Sequence, residues 1–466
     1  MEALVLNWAA DQLKAPAVFR DAVMMEGVSI DSRTVQTGDL FFAIVGEKTD
    51  GHLFVLDALA SGAVGAVISK PIERASERCI SVPDTIAALG DLAAAYRARF
   101  DIPVVGITGS VGKTSTKEMI SHILNSQYPA LYSQKNQNTE IGLPITLFGL
   151  NSTYRAAALE MGMRGLGQIA RLCEIAHPTV ALITMIGYSH LELLGSRENI
   201  ALAKSEIYQY LDSQGTALLP VDSDFYPFLS SRVPHESAKI TFSSQGVPSD
   251  VTVTPGPVTE EGFPRFHVRY GLEQAEGVLS VIGRRQAHNA AAALAASYAL
   301  SIPLGDALTA LESWHGAEGR MQLRHGTGRM IVLDDCYNAA VESMCAALQT
   351  LETMAPPSKR VAALGDMKEL GDYTEEAHQI VGRAAAEANL RLLVTVGEES
   401  RIIGETMQGM NKEIEWKSFP SALQAAASLP ALLHEDDTVL VKGSRALAME
   451  SIVEALTGKN SEGSDD

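Results

Sequence analysis

The stretch Ile102-Pro103-Val104-Val105-Gly106-Ile107-Thr108-Gly109-Ser110-Val111-Gly112-Lys113-Thr114-Ser115-Thr116 carries the first decision about the fold. A β-branched apolar run ends in a turn with two glycines and passes into a helical pattern. In that setting, backbone N–H groups and the start of a helix cradle an anionic phosphate chain. Gly109, Ser110, Gly112 and Ser115 form the turn, Lys113 neutralises the outer phosphates, and the Thr114 hydroxyl is placed to ligate Mg²⁺. The first glycine of the strict phosphate-loop pattern is replaced by Ile107.

Working outward, strand patterns recur at residues 155–159, 180–186 and 216–221, separated by helical stretches. Such alternation predicts a mostly parallel sheet. Segment 235–283 is rich in Val, Thr, Gly and Pro and alternates in character, so antiparallel strands are expected there before an alanine-rich helix from His288. Residues 1–99 alternate short apolar runs, such as 39–45, with alanine-rich helices, such as 85–100. After Gly316-Ala317-Glu318-Gly319 the pattern restarts with strands at 330–333, 360–364, 391–396 and 438–441. The expected fold is α/β in three domains: a small one over 1–99, a central P-loop ATPase-like parallel sheet over 100–317, and a Rossmann-like unit over 318–458. Residues 459–466 lack any apolar anchor and are expected to be a disordered tail.

Composition narrows the function. The 466 residues carry 37 basic and 56 acidic side chains, a formal charge of −19. An acidic surface repels phosphate backbones and anionic lipid, which argues against nucleic acid or a membrane as the main partner. Cys79, Cys173, Cys336 and Cys345 lack the pairing of a metal knuckle or a disulfide scaffold, so reduced thiols in a cytoplasmic protein are expected. The start of the chain lacks the basic residues of an export signal, and the longest weakly polar run, 290–304, reads as a buried helix of a soluble enzyme.

Two further residues stand where strands end. Glu160 closes one strand and His190 follows another, and in open α/β sheets such ends line the ligand crevice. Both are candidate metal ligands beside the phosphate loop. Lys204 falls on a helix that starts after Gly195-Ser196, and a helix lysine is ordinarily a solvated side chain.

Taken together, Gly109 to Thr114, Lys135-Asn136-Gln137-Asn138-Thr139-Glu140-Ile141-Gly142, Glu160-Met161-Gly162, Ser189-His190-Leu191-Glu192, Ala203-Lys204-Ser205-Glu206, His288-Asn289 and Gly319-Arg320-Met321 resemble, in order, the ATP-dependent Mur ligases of peptidoglycan synthesis. The blocks Asp334-Asp335-Cys336-Tyr337-Asn338-Ala339, Leu364 to Gly371 and Val441 to Arg445 resemble the member that handles D-alanyl-D-alanine. The resemblance implies that a UDP-N-acetylmuramoyl-tripeptide carboxylate is activated by ATP as an acyl phosphate, and that the amine of D-alanyl-D-alanine displaces the phosphate. It implies Mg²⁺ held by Thr114, Glu160, His190 and a carbamylated Lys204. By the same likeness, Asn289, Arg320 and Asp335 join the loop in binding ATP. Ser29, Asp31, Ser32, Arg33, Lys48, Asp50 and His52 would serve the uridine nucleotide, and Asn138, Thr139, Tyr337 and Asn338 the substrates. Lys113, Lys204 and His190 would serve catalysis, and a monomer is expected.

The chain also departs from that family. Asparagine is expected near Met185 and Ala292, Glu-Ala in place of Tyr188-Ser189, and Asn-Pro in place of Ala340-Val341. The phosphate and metal positions are untouched, so ligation is the favoured reading. The alternatives are a folylpolyglutamate-type or other related ligase with a different acceptor, and a non-catalytic nucleotide-binding relative. Residues 1–101 ahead of the loop argue against the folylpolyglutamate type, which starts close to its phosphate loop.

Overall fold

The computed structural model describes residues 1–15, 19, 22–72, 76–259, 261–283 and 285–458. The tail expected to be disordered, 459–466, lies outside the described residues.

Four parallel strands, Gly27–Ser29, Asp39–Phe42, Gly65–Ile68 and Cys79–Ser81, form the first sheet. Its closing helix, Thr85–Arg97, starts where the Asp84 carboxylate accepts from the N–H groups of Ile86 and Ala87, satisfying two of the donors that a helix start leaves open. This helix packs on Gly142–Phe148 and Gln168–Ala176 of the next unit, so one apolar core runs across residue 99. Two polar ties reinforce the seam. The Tyr96 hydroxyl donates to Leu150 O at 2.6 Å and accepts from Glu2 N–H, while the Arg97 guanidinium donates to the carbonyls of Ala176, Phe100 and Ile102.

The central sheet has nine strands, in the order Glu273–Val278, Pro264–Tyr270, Val251–Val258, Ala238–Ser243, Thr216–Pro220, Val180–Ile183, Val104–Thr108, Ala156–Glu160 and Ala130–Tyr132. The central strands at 104–108, 156–160 and 180–183 are buried along their whole length, as parallel strands covered on both faces must be. The sheet stays parallel further than the composition of 235–283 suggests. Ala238–Ser243 and Val251–Val258 continue the parallel order, and only the last two strands run antiparallel. The strand expected over 180–186 stops at Ile183, because the next residues spend their polar groups on the phosphate loop: Thr184 Oγ1 donates to Val111 O, and Met185 O accepts from Ser110 N–H.

The third sheet runs Gln322–His325, Ile331–Asp334, Thr438–Lys442, Arg360–Gly365, Leu392–Val396 and Glu415–Phe419, antiparallel only at its first pair. Its two cores, one on each face, are largely its own. The observed architecture is three α/β units, the first two sharing a core and the third meeting the second across a polar cleft. Among the described residues, no helix is long and apolar enough to cross a membrane. All four cysteines are unpaired.

Candidate active site

The phosphate loop lies at the switch point of the central sheet, where Val104–Thr108 is flanked by Val180–Ile183 on one side and Ala156–Glu160 on the other. Gly109 has φ +149°, and a Cβ there would lie 1.9 Å from Thr184 Oγ1; Gly112, at φ +90°, leads directly into helix Lys113–Gln127. Only glycine makes this close turn without strain. The segment after Ile183 laces the loop in place. Ser110 Oγ accepts from Gly187 N–H at 2.9 Å, and Ser189 Oγ donates to Ser110 O at 3.1 Å. Ser189, one of the departures, thus supports the loop backbone directly.

A cleft between the second and third units gathers Ser110, Gly112, Lys113, Thr114, Ser115, Asn138, Glu160, Asn289, Arg320, Asp335, Tyr337 and Asn338 along its walls. The loop supplies one wall and the third unit the other. Arg320 reaches across, its guanidinium donating to Thr114 Oγ1 at 3.2 Å while stacking over the Tyr337 ring at 4.1 Å. Asp335 accepts from Met321 N–H and pairs with the buried Lys442 at 2.6 Å, which also donates to Asn338 O. Asn289 sits against Gly112, and its amide donates to Gln286 Oε1 at 2.8 Å.

Glu160 is buried at the end of its strand, accepting from Thr114 Oγ1 at 2.9 Å and Asn138 Nδ2 at 2.8 Å. Its backbone N–H is held by Ser133 Oγ. Lys113 is part-buried at the helix start and donates to Gly109 O. Lys204 is 1% exposed and forms no ion pair among the described residues, unlike an ordinary solvated helix lysine. Burial, then the nearby Lys113 charge, push its pKa well below the ordinary lysine value, with Glu160 opposing. Burial, followed by the charges of Lys204, Lys113 and Arg164, also drives His190 down to about 3, although the Glu369 carboxylate lies 2.7 Å from its Nδ1. Burial and these charges favour the neutral imidazole, the form that binds metal.

These donors suit a hard divalent cation. Thr114 and Glu160 offer oxygen, His190 a neutral nitrogen, and the crowding of Lys113 and Lys204 around one buried carboxylate leaves the pocket short of negative charge. An ammonium at Lys204 does not fit such a set, whereas a modified, anionic side chain does.

The other expected residues stand apart. Ser29, Asp31, Ser32 and Arg33 form a turn on the first sheet, in which Arg33 pairs with both Asp31 oxygens and holds that carboxyl down to about 2. Asp50 accepts from His52 N–H and pairs with Lys70, while His52 Nε2 accepts from Ser69 N–H. Lys48 and Thr139 are exposed. None of these lines the cleft. Several cleft residues carried no role in the sequence reading: Arg285 and Gln286 on the helix approach, and Lys442 inside the block from Val441 to Arg445. The signal for Lys442 was its place at a strand end. A second hollow of about 750 Å³ adjoins the cleft across Arg285, with Met185, Asp222 and His288 in its walls. A cluster of Asp366, His378 and Glu399 has metal-ligand composition. Its histidine is spent, because Nε2 accepts from Met367 N–H and Nδ1 faces Thr374 O, and Lys368 already bridges the two carboxylates.

Fold and cleft together define a class: three-part α/β proteins that place a phosphate loop opposite the arginine and aspartate of a second α/β unit. Family models match most of the chain, with "Mur ligase family, catalytic domain" over 25–97, "Mur ligase middle domain" over 107–297 and "Mur ligase, glutamate ligase domain" over 319–445. The chain belongs to the Mur ligase family. It is 35% identical over 440 residues to the UDP-N-acetylmuramoyl-tripeptide--D-alanyl-D-alanine ligase of Synechocystis sp., covering 94% of this chain and 93% of that protein. Among solved structures it is similar to a crystal structure of MurF from Acinetobacter baumannii, with TM-score 0.90, 31% identity, and coverage of 98% and 100% of the two chains. It is also similar to the MurF ligase of Thermotoga maritima in complex with ADP, with TM-score 0.81, 28% identity, and coverage of 92% and 96%.

Proposed function

We propose that this chain is an ATP-dependent amide ligase that adds D-alanyl-D-alanine to a UDP-N-acetylmuramoyl-tripeptide in peptidoglycan precursor synthesis. The observation that carries the reading is the joint wall of the cleft, where Arg320 of the third unit meets Thr114 of the phosphate loop. Relatives bearing that activity in their names match along nearly the whole chain.

The chemistry demands such a wall. A carboxylate oxygen attacking the γ-phosphorus brings anion to anion, so Lys113 and Arg320 lower the charge on the phosphates and hold the reactants in line. ADP departs and an acyl phosphate remains. The amine of the dipeptide then attacks the acyl carbon, the carbon–oxygen bond to phosphate breaks, and the nitrogen gives up a proton. Mg²⁺ would be held by Thr114, Glu160, His190 and carbamylated Lys204, and supplies charge neutralisation at the phosphate oxygens. Asp335, fixed by Lys442 and Met321 N–H, and Asn289 at the loop are set to hold the nucleoside end. The turn at Ser29–Arg33 and the Asp50–His52 cluster take the uridine nucleotide, which puts the tripeptide's far end on the first unit.

The test is product analysis. ADP and phosphate should appear only when ATP, a UDP-muramoyl-tripeptide, ending in diaminopimelate or lysine, and D-alanyl-D-alanine are all present. ATP turnover with another amine acceptor would assign a different ligase, and nucleotide binding without turnover in any mixture would leave a sensor.

A further inference from the structure

Two residues face each other across the boundary between the second and third units, and both hold a backbone conformation that side chains other than glycine rarely adopt. His190 has φ +67° and Glu369 has φ +64°. Such residues persist only where their surroundings over-determine them. Glu369 Oε2 lies 2.7 Å from His190 Nδ1. His190 Nδ1 is otherwise buried without a partner.

The segment that carries Glu369 is held on every side. Asp366 accepts from Ser400 N–H at 2.8 Å, His378 Nε2 from Met367 N–H at 3.1 Å, and Ser444 Oγ from Lys368 N–H at 3.0 Å. Lys368 is pinned between Asp366 and Glu399. The Asp366–His378–Glu399 cluster, buried except for half-exposed Glu399, thus has a use without a metal: it stiffens the turn that presents the next carboxylate. The turn also meets the second unit. Glu192 N–H approaches Glu369 O at 3.4 Å, Arg164 lies 3.6 Å from Glu369 Oε1, and Tyr373 stacks on Tyr188 at 4.8 Å between ring centres.

We propose that Glu369 is a positioning residue for His190: the third unit, when docked, hands the imidazole a carboxylate that fixes its Nδ1 side and leaves Nε2 as the nitrogen free for the cation. A carboxylate behind a ligating histidine fixes its tautomer and raises its basicity, and losing it weakens metal binding by roughly 10- to 100-fold. Because Glu369 belongs to the third unit and His190 to the second, cation affinity rises when the two units dock. This rests on the reading of His190 as a metal ligand given under Proposed function.

Mn²⁺ binding to the whole chain in the presence of ADP, followed by electron paramagnetic resonance, tests it without reference to turnover. Wild type, Glu369→Gln, His190→Ala and the double variant are compared, with melting temperature as the check on folding; Glu369→Asn, which tolerates the left-handed backbone, replaces Glu369→Gln if that variant does not fold. The expected result is roughly 10- to 100-fold weaker Mn²⁺ binding in Glu369→Gln, and no further loss when it is added to His190→Ala. Wild-type affinity in Glu369→Gln, with His190→Ala impaired, would overturn the role of Glu369 alone. Additive losses in the double variant would show that Glu369 acts elsewhere, and would overturn it too. If His190→Ala binds Mn²⁺ as wild type does, the metal reading of His190 falls and this inference with it.

Discussion

An ammonium shut away from water beside a second lysine is costly in its charged form, so Lys204 is driven toward the neutral amine that can capture CO₂. Replacing it with alanine should remove nearly all ligase activity at saturating ATP, and small carboxylic acids should partly restore it by returning an oxygen anion to the vacated space. Lys204→Arg should stay inactive, because a guanidinium keeps its proton and forms no carbamate. Initial rates of ADP release check all three, and a fully active Lys204→Ala protein would refute the modification. The burial of this lysine was legible in the sequence, although not by the rule that helix lysines are solvated. Ile200, Ala201, Ile207 and Tyr208 stand at the spacings that share a helix face with position 204, and all four are buried. Glu369 offered no such clue, because its role depends on a contact between two units that no local pattern encodes.

Elements were easiest to read where their environment is uniform. The three central strands of the second unit, covered on both faces, announce themselves as continuous apolar runs. The strands Ala130–Tyr132, Gln322–His325 and Glu415–Phe419 lie at sheet edges, and the last two expose polar side chains that mask the alternation. The helix Thr85–Arg97 was expected, but its binding to the second unit was not, since that depends on Tyr96 reaching Leu150 O. Tyr96→Phe leaves this buried carbonyl and Glu2 N–H without their partner. It should lower stability by about 1–3 kcal/mol in urea unfolding, with ligase activity at low denaturant preserved. A buried histidine and a part-buried one set a further dependence. His378 accepts Met367 N–H at Nε2, and His288 lies between Ser244 Oγ and Thr184 O; burial lowers both pKa values below the ordinary 6.5. The folded state keeps both rings neutral while the unfolded chain takes up protons. Stability should therefore be independent of these groups above about pH 6.5 and should fall as pH drops below it. Unfolding midpoints at pH 7.5 and 5.5 check this, and Ala or Gln at position 378 should flatten that part of the slope.

At the scale of the whole molecule, the first two units share a core, while the third docks through polar and aromatic contacts beside a small apolar one, where Ile282 and Phe263 of the second unit pack into the third unit's core. Arg320 donates to Thr114, Glu342 accepts from Tyr188 N–H, Arg285 donates to Glu342 O, and Tyr373 stacks on Tyr188. A nucleotide on the phosphate loop would touch Arg320 and Asp335 only in this docked arrangement, and a ligand shifts an equilibrium only by its preference for one state. The aromatic stack is worth about 0.5–1.5 kcal/mol, so Tyr373→Ala should lower the docked-to-undocked ratio of the free protein roughly two- to tenfold. Small-angle scattering should then show a larger radius of gyration for Tyr373→Ala than for wild type without ligand, and a return to the wild-type value with a non-hydrolysable ATP analogue and UDP-tripeptide. Arg320→Ala removes a docking contact as well as a ligand contact, so its radius should also be larger than wild type without ligand, and, unlike Tyr373→Ala, it should fail to compact fully when ligand is added. An identical radius in every variant and state would mean that the third unit is held by something other than these contacts, and that ligands do not draw it closed.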